Sequence, residues 1–332
     1  MQCRCKGTLW LIALLLGISA ILPGQPATIP IYSVFGGPAG ITIGPDGAVW
    51  FTENAGNKIG RITKAGALTE YVVPTPASGV DNITPGPDGA LWFTEHERNN
   101  IGRITTSGSF TEYVIPTPAS GPAGITTGPD GALWFTESIG GKIGRITTDA
   151  AITEYAIPAF NASPRHITVG ADGALWFTEN RGNQIGRVTT DGSFTEYRIP
   201  TPNSGSVDIT PGPDGALWFT EYGLYGNKIG RITTSGSITE YSVPTPAAGP
   251  LHIIAGADGA LWFTEFLANK IGQLTVSGEF REYTIPELNS GPAGITTGAN
   301  HAVWFAEYYS NKIWRLAIRS RGPRFTRISA PP

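Results

Sequence analysis

The sequence predicts an all-β protein, a seven-bladed β-propeller of four-stranded antiparallel blades, and three observations carry that prediction. Tryptophans recur at Trp50, Trp92, Trp134, Trp176, Trp218, Trp262 and Trp304, with successive spacings of 42, 42, 42, 42, 44 and 42 residues. Each sits in a near copy of GPDGALWFTE, as at Gly44–Glu53, Gly86–Glu95, Gly128–Glu137 and Gly212–Glu221. A period of about 40 to 45 residues is the size of one propeller blade, and no stretch keeps the 3.6-residue rhythm of a helix.

One unit shows how a blade is made. In the third, strand-like stretches cover Ala123–Thr127, Ala132–Glu137, Lys142–Thr147 and Ile152–Ile157. Pro129-Asp130-Gly131, Gly140-Gly141 and Thr148-Asp149-Ala150 separate them. Asp-Gly between apolar strands favours a hairpin because the tight turn needs positive φ. Closing such a ring removes long unpaired sheet edges, and a strand from the opposite terminus often completes the last blade. Ile29–Val34 (IPIYSV) resembles the outer strand of each unit and is favoured for that role; Arg324–Ile328 competes for it. The expected organisation is a signal peptide over 1–27, a propeller over 28–318 and a basic tail or closing strand over 319–332.

Composition agrees with many short strands. Of 332 residues, 44 are Gly and 27 are Pro, yet aromatics reach 10%, too many for a disordered chain. Net charge is −3 with only 15% charged residues, so no basic field is present to hold nucleic acid. At the N-terminus, Arg4 and Lys6 precede the apolar run Leu9–Leu22, in which small residues come late. This is the layout of a secretory signal peptide, or of an anchor if it stays uncleaved. The run is short for a membrane span, and none is expected after cleavage. A secreted or cell-envelope monomer is the expectation. Cys3 and Cys5, the only cysteines, lie in this segment, so a processed protein would have no thiol or disulfide.

Residues repeated in every blade are read first as scaffold. The Trp rings are expected between neighbouring blades. The glutamates Glu53, Glu95, Glu137, Glu179, Glu221, Glu265 and Glu307 follow Phe-Thr (Phe-Ala at Glu307), and an arginine such as Arg61, Arg103, Arg145 or Arg187 comes eight residues later in most blades. A half-buried carboxylate needs a partner, so a repeated Glu–Arg clamp is expected, with Gln273 leaving Glu265 as the odd member.

The stretches Trp50–Thr63 (WFTENAGNKIGRIT) and Ile238–Pro250 (ITEYSVPTPAAGP) resemble the virginiamycin B lyases, also called streptogramin B lyases, and the resemblance covers about Ile31 to Leu316. It implies a seven-bladed propeller that opens the cyclic depsipeptide of type B streptogramins by Mg²⁺-assisted elimination rather than hydrolysis. A base removes a proton α to a carbonyl, a divalent cation stabilises the enolate-like charge and an acid protonates the leaving oxygen. The family places histidines and a catalytic Glu where innermost strands begin, in Pro-His-Gly-Ile or Glu-Pro-His-Gly-Ile segments. A Glu of the WFTE-type position in the last blade ligates the metal; here that is Glu307. The histidine position holds Ala39, Asp81, Ala123, Arg165, Val207, Leu251 and Ala293 in turn, and Gly291 replaces the Glu.

The breaks in the repeat therefore become the candidate site. Asp81, Asn82, Arg165, His166, Asp208 and His252 all stand where innermost strands begin and are expected to ring one end of the channel. His166 and His252 sit one residue later than the family's histidines. Strand alternation would turn them away unless a bulge re-aims them. Three readings stay open. In a lyase-like or displaced active site, His166 or His252 is the base, Arg165, Asp81 and Asn82 bind the substrate, and Asp208 and Glu307 hold Mg²⁺ or Ca²⁺. A polar mouth that only binds a small molecule or cyclic peptide is the second. A metal-dependent lactone or ester hydrolase, with Asp81, Asn82 and Asp208 as the ring that holds the cation, is the third. The loops at His96-Glu97-Arg98, Glu221–Lys228 and Tyr308-Tyr309 read as solvated surface.

Overall fold

The computed structural model describes residues 32–34, 36–298, 301–318 and 324–325. Among them are no α-helices, and the strands form seven antiparallel sheets arranged as a seven-bladed β-propeller. Blade 3 orders Pro122–Thr127, Leu133–Glu137, Lys142–Ile146 and Ile152–Ala156 from the axis outward, within a residue or so of the sequence reading. No helix among the described residues is long and apolar enough to cross a membrane.

Blade 7 closes the ring. It comprises Pro292–Thr297, Val303–Glu307 and Lys312–Ala317, and both termini share its outer edge. Tyr32 pairs with Ile313 at one end of that edge, and Phe325 pairs with Leu316 at the other. The two segments that competed for the closing strand thus each supply a piece. The expected signal segment 1–27 with Cys3 and Cys5, residues 29–31, 319–323 and 326–332 lie outside the described residues.

Seven apolar clusters hold the ring together, one at each blade interface. Trp50 of blade 1 packs with Val80, Ile83, Leu91 and Phe93 of blade 2. Ala306 and Ile313 of blade 7 meet Tyr32, Val34, Ile41 and Phe51 around blade 1. The tryptophans are therefore inter-blade filler, as the scaffold reading required. Phe51 lies so close to the third strand that a Cβ on Gly60 would stand 2.1 Å from its ring, which is why that strand reads KIGRI.

The expected Glu–Arg clamp is not what the structure builds. Arg61 pairs with Asp46 of the Pro-Asp-Gly turn at 2.7 Å, and its guanidinium lies over Trp50, 5.6 Å from the ring centre. The other Asp46 oxygen accepts from the Trp50 indole N–H at 3.0 Å. Register explains the correction: Trp50 faces Arg61 across the ladder, whereas Glu53 faces Lys58, three residues and about 10 Å further along. The same unit recurs at Asp88–Trp92–Arg103, Asp130–Trp134–Arg145, Asp172–Trp176–Arg187 and Asp214–Trp218–Arg231. Gln273 takes the arginine's place on Asp258 at 2.9 Å, so Glu265 is no exception.

The lysine across from Glu53 is also engaged elsewhere, since Lys58 pairs with Glu70 of the outer strand at 2.7 Å. All seven WFTE-type glutamates are fully buried. Ten of their oxygens in blades 1, 2, 3, 5 and 6 have no well-formed hydrogen bond. Burial, aided by the neighbouring outer-strand glutamate, pushes Glu53, Glu137 and Glu179 up to about 7 and Glu95, Glu221 and Glu265 up to about 8. These groups bind protons more tightly folded than unfolded, where the ordinary value is 4.5. Their contribution to stability is complete below that value and is lost as pH rises through 7 to 8. Thermal melts from pH 5 to pH 9 should show a falling Tm, and Glu95→Gln should flatten the slope by roughly 1 kcal/mol or more across the range. A Tm that rises over this interval would contradict the assignment.

Candidate active site

A β-bulge opens every blade at the axis. In blade 4, Pro164 pairs with Glu179 and Ile167 with Phe177, so Arg165 and His166 together oppose the single residue Thr178. The same shift occurs in the other six blades. Thr178 accepts the His166 N–H at 3.2 Å and donates to the Val207 carbonyl of blade 5 at 2.7 Å. The bulge is therefore tied to the next blade.

Because two residues share one ladder position, both can face the axis. The first bulge residue of every blade, from Ala39 to Ala293, lines a mouth of about 240 Å³. Asp81 and Arg165 are among them, and His166, His252, Phe266 and Tyr308 complete the polar and aromatic lining. The second bulge residue is glycine in blades 1, 3 and 7; on Gly40 a Cβ would stand 2.5 Å from the Asp81 carbonyl. In blades 2, 4, 5 and 6 it is Asn82, His166, Asp208 and His252, and these four side chains meet.

Asp208 is their centre. Its Oδ1 lies 2.7 Å from His166 Nδ1 and accepts the Ile209 N–H at 2.7 Å. Its Oδ2 lies 3.3 Å from His252 Nδ1 and accepts the Ile253 N–H at 2.8 Å. The two imidazoles stand edge to face with centres 4.9 Å apart. Asn82 lies 3.5 Å from His166 Nε2, and its side-chain oxygen accepts from the Ile125 N–H. Burial opposes charge on both partners of the closest pair. The histidines nevertheless hold Asp208 well below the usual carboxylate range, and Asp208 in turn pushes His166 above the ordinary imidazole value. This pair stabilises the fold most above the unfolded carboxylate value of 3.8, and its contribution fades as pH rises through the raised His166 value.

The structure brings four of the seven candidate residues into one contact network: Asn82, His166, Asp208 and His252. Arg165 and Asp81 line the same mouth. Glu307 does not join them. It is buried in blade 7, accepts a hydrogen bond from Ser310, and burial pushes its carboxyl up towards the neutral form. No contact links it to Asp208, so the expected oxygen-rich pair for Mg²⁺ or Ca²⁺ is not assembled, and Asp208 is the only carboxylate in the His cluster. His166, Asp208 and His252 do offer ligand atoms within 4.8 Å of one another. Two imidazoles and one carboxylate suit zinc-like ions better than magnesium or calcium.

Comparison with known proteins now bears on this site. The chain matches the virginiamycin B lyase family over residues 26–316. It belongs to that family. Virginiamycin B lyase from Staphylococcus aureus is 50% identical, with a TM-score of 0.81 over 85% of this chain and 96% of that one. A catalytically inactive histidine-to-alanine variant of that enzyme, in a structure with quinupristin, is equally similar, at 50% identity and a TM-score of 0.81. A streptogramin B lyase is 45% identical, with a TM-score of 0.81 over 87% of this chain and 98% of that one. The family resemblance in the sequence is thus borne out, while this member carries no histidine at the first bulge position of any blade.

Sequence reasoning missed the aromatic side of the mouth. Tyr308 and Phe266 follow the repeated Glu307 and Glu265; Tyr308 read as loop surface and Phe266 was not singled out, because only the ring geometry turns them to the axis.

The site's electrostatics yield one direct test. Asp208→Asn should lower the His166 titration midpoint, followed through its imidazole resonances by NMR. An unchanged midpoint would show that Asp208 does not control His166.

Proposed function

We propose that this lyase-family propeller opens a cyclic ester or depsipeptide at the channel mouth by elimination, with the His166–Asp208–His252 cluster as its acid–base machinery. The shared carboxylate between two imidazoles carries the proposal. Asp208 orients both rings by their Nδ1 atoms, which directs each Nε2 away from it. His252 Nε2 has no hydrogen-bond partner among the described residues and is the base. His166, whose proton Asp208 retains, is the acid. His252 takes the proton α to a carbonyl, a carbon–carbon double bond forms as the β carbon–oxygen bond breaks, and His166 protonates the departing carboxylate. Arg165 at the rim balances the negative charge that develops on the carbonyl. The Mg²⁺ of the family mechanism has no matching oxygen-rich donor set among the described residues. The N-terminal run Leu9–Leu22 supports placing the protein outside the cytoplasm.

A second reading, binding without turnover, is supported by the missing family histidines, since a histidine-to-alanine change leaves the S. aureus relative inactive. One experiment separates the readings. Incubation with a type B streptogramin such as quinupristin should give a ring-opened product of unchanged mass, because elimination within a ring is an isomerisation. Hydrolysis by a metal-dependent site would add the mass of one water. His252→Ala should slow ring opening by about 10²- to 10⁴-fold. Tight binding with no product, from the wild-type protein, would leave the binding reading in its place.

A further inference from the structure

Blade 3 lacks a clamp that blades 1, 2, 4, 5 and 6 possess. At the end of the loop joining second and third strands stands an asparagine with positive φ: Asn57, Asn99, Asn183, Asn227, Asn269 and Asn311. In blades 1, 2, 4, 5 and 6 its side-chain nitrogen donates to two carbonyls of the chain leading to the next blade, and its oxygen accepts from an N–H further on. For Asn57 these are Val73 and Thr75 as acceptors and Ser78 as donor, at 3.1, 3.0 and 2.8 Å. Asn99 makes the same three bonds, to Ile115, Thr117 and Ser120. In blade 3 the position is Gly141, with φ of 62° and open space where a Cβ would lie.

Counting along the chain as for Asn57, the groups left without the clamp are the Ile157 and Ala159 carbonyls and the Ala162 N–H. None of the three has another hydrogen bond among the described residues, and Ala162 is 1% exposed. A buried N–H without a partner is costly, so a native chain rarely keeps one without a reason. In place of the asparagine there is a cavity of about 690 Å³, walled by Gly141, Ile157, Ala159 and Ala162. His96, Arg165 and Arg181 border it, and Arg165 also lines the channel mouth.

We propose that this cavity is a subsite for a carboxamide on the ligand, whose –CONH₂ group replaces the missing asparagine side chain. The two carbonyls require donors and the N–H requires an acceptor, in the arrangement that one planar amide satisfies in the other blades. A carboxylate offers no donor, and an ammonium or guanidinium offers no acceptor. Arg165 joins the subsite to the mouth, so the amide belongs to the same molecule that meets His166 and His252. This last step rests on reading the mouth as the substrate site; the amide subsite itself does not.

Saturation-transfer NMR and crystal soaks with acetamide and N-acetylglutamine amide, with acetate as the isosteric control, test it. The carboxamides should bind and acetate should not, with density bridging Ile157, Ala159 and Ala162. Gly141→Asn should raise Tm by restoring the clamp and weaken carboxamide binding by at least about tenfold. Carboxamide binding unaffected by Gly141→Asn, equal binding of acetate, or a soak showing only water would overturn the proposal. Because these readouts need no turnover, their failure is distinct from failure of ring opening by His252.

Discussion

The constraint on which the site depends is the β-bulge that begins each innermost strand, where two residues face one, a threonine in blades 1 to 6 and Ala306 in blade 7. The threonine accepts from the second bulge residue and, in the first five blades, donates to a carbonyl of the next. One hydroxyl thus fixes both the local kink and the contact between blades. It doubles the number of side chains per blade that can reach the axis. Ring closure by the tryptophan clusters sets how far apart the seven bulges stand, and the bulges set what meets at the centre.

Two repeated polar arrangements support that frame in different ways. The Asp–Trp–Arg unit at the far turn is partly exposed, and Asp46 sits below its ordinary pKa because Trp50, Ala48 and Arg61 compensate for its burial. The inner glutamates are compensated far less, with Gln184 donating to Glu179 and Ser310 to Glu307. Burial raises their pKa values, so the scaffold carries a pH dependence of its own, separate from any titration at the mouth. Blade 3 departs from a third arrangement, the asparagine clamp. The result is a pocket bordered by the same Arg165 that edges the mouth, so scaffold and site are not independent.

The mouth combines an aromatic side on blades 6 and 7, from Phe266 and Tyr308, with Asp81 and Arg165 on blades 2 and 4 and an imidazole pair between them. Such a surface accommodates a ligand with both apolar and polar parts, in keeping with a depsipeptide. It also places imidazoles one residue away from the first bulge position. At a bulge, the neighbouring position need not point to the opposite face, so histidines at the second position of blades 4 and 6 occupy the axis beside the first.

The sequence alone determined the seven blades, their strands and the inter-blade role of Trp50 and its counterparts, because hairpin turns and strand alternation are local and recur with the period. It also singled out His166, Asp208 and His252, since a break in a near-perfect repeat is visible without coordinates. Only the tertiary structure decided that Arg61 belongs to Asp46 rather than Glu53, because pairing depends on cross-strand register. Only the structure turned His166 and His252 to the axis and gathered them on Asp208, which required bulges in three separate blades. The absence of an asparagine at Gly141 was written in the sequence. That it leaves three backbone groups facing a cavity could be seen only once the loops of blades 3 and 4 were placed side by side.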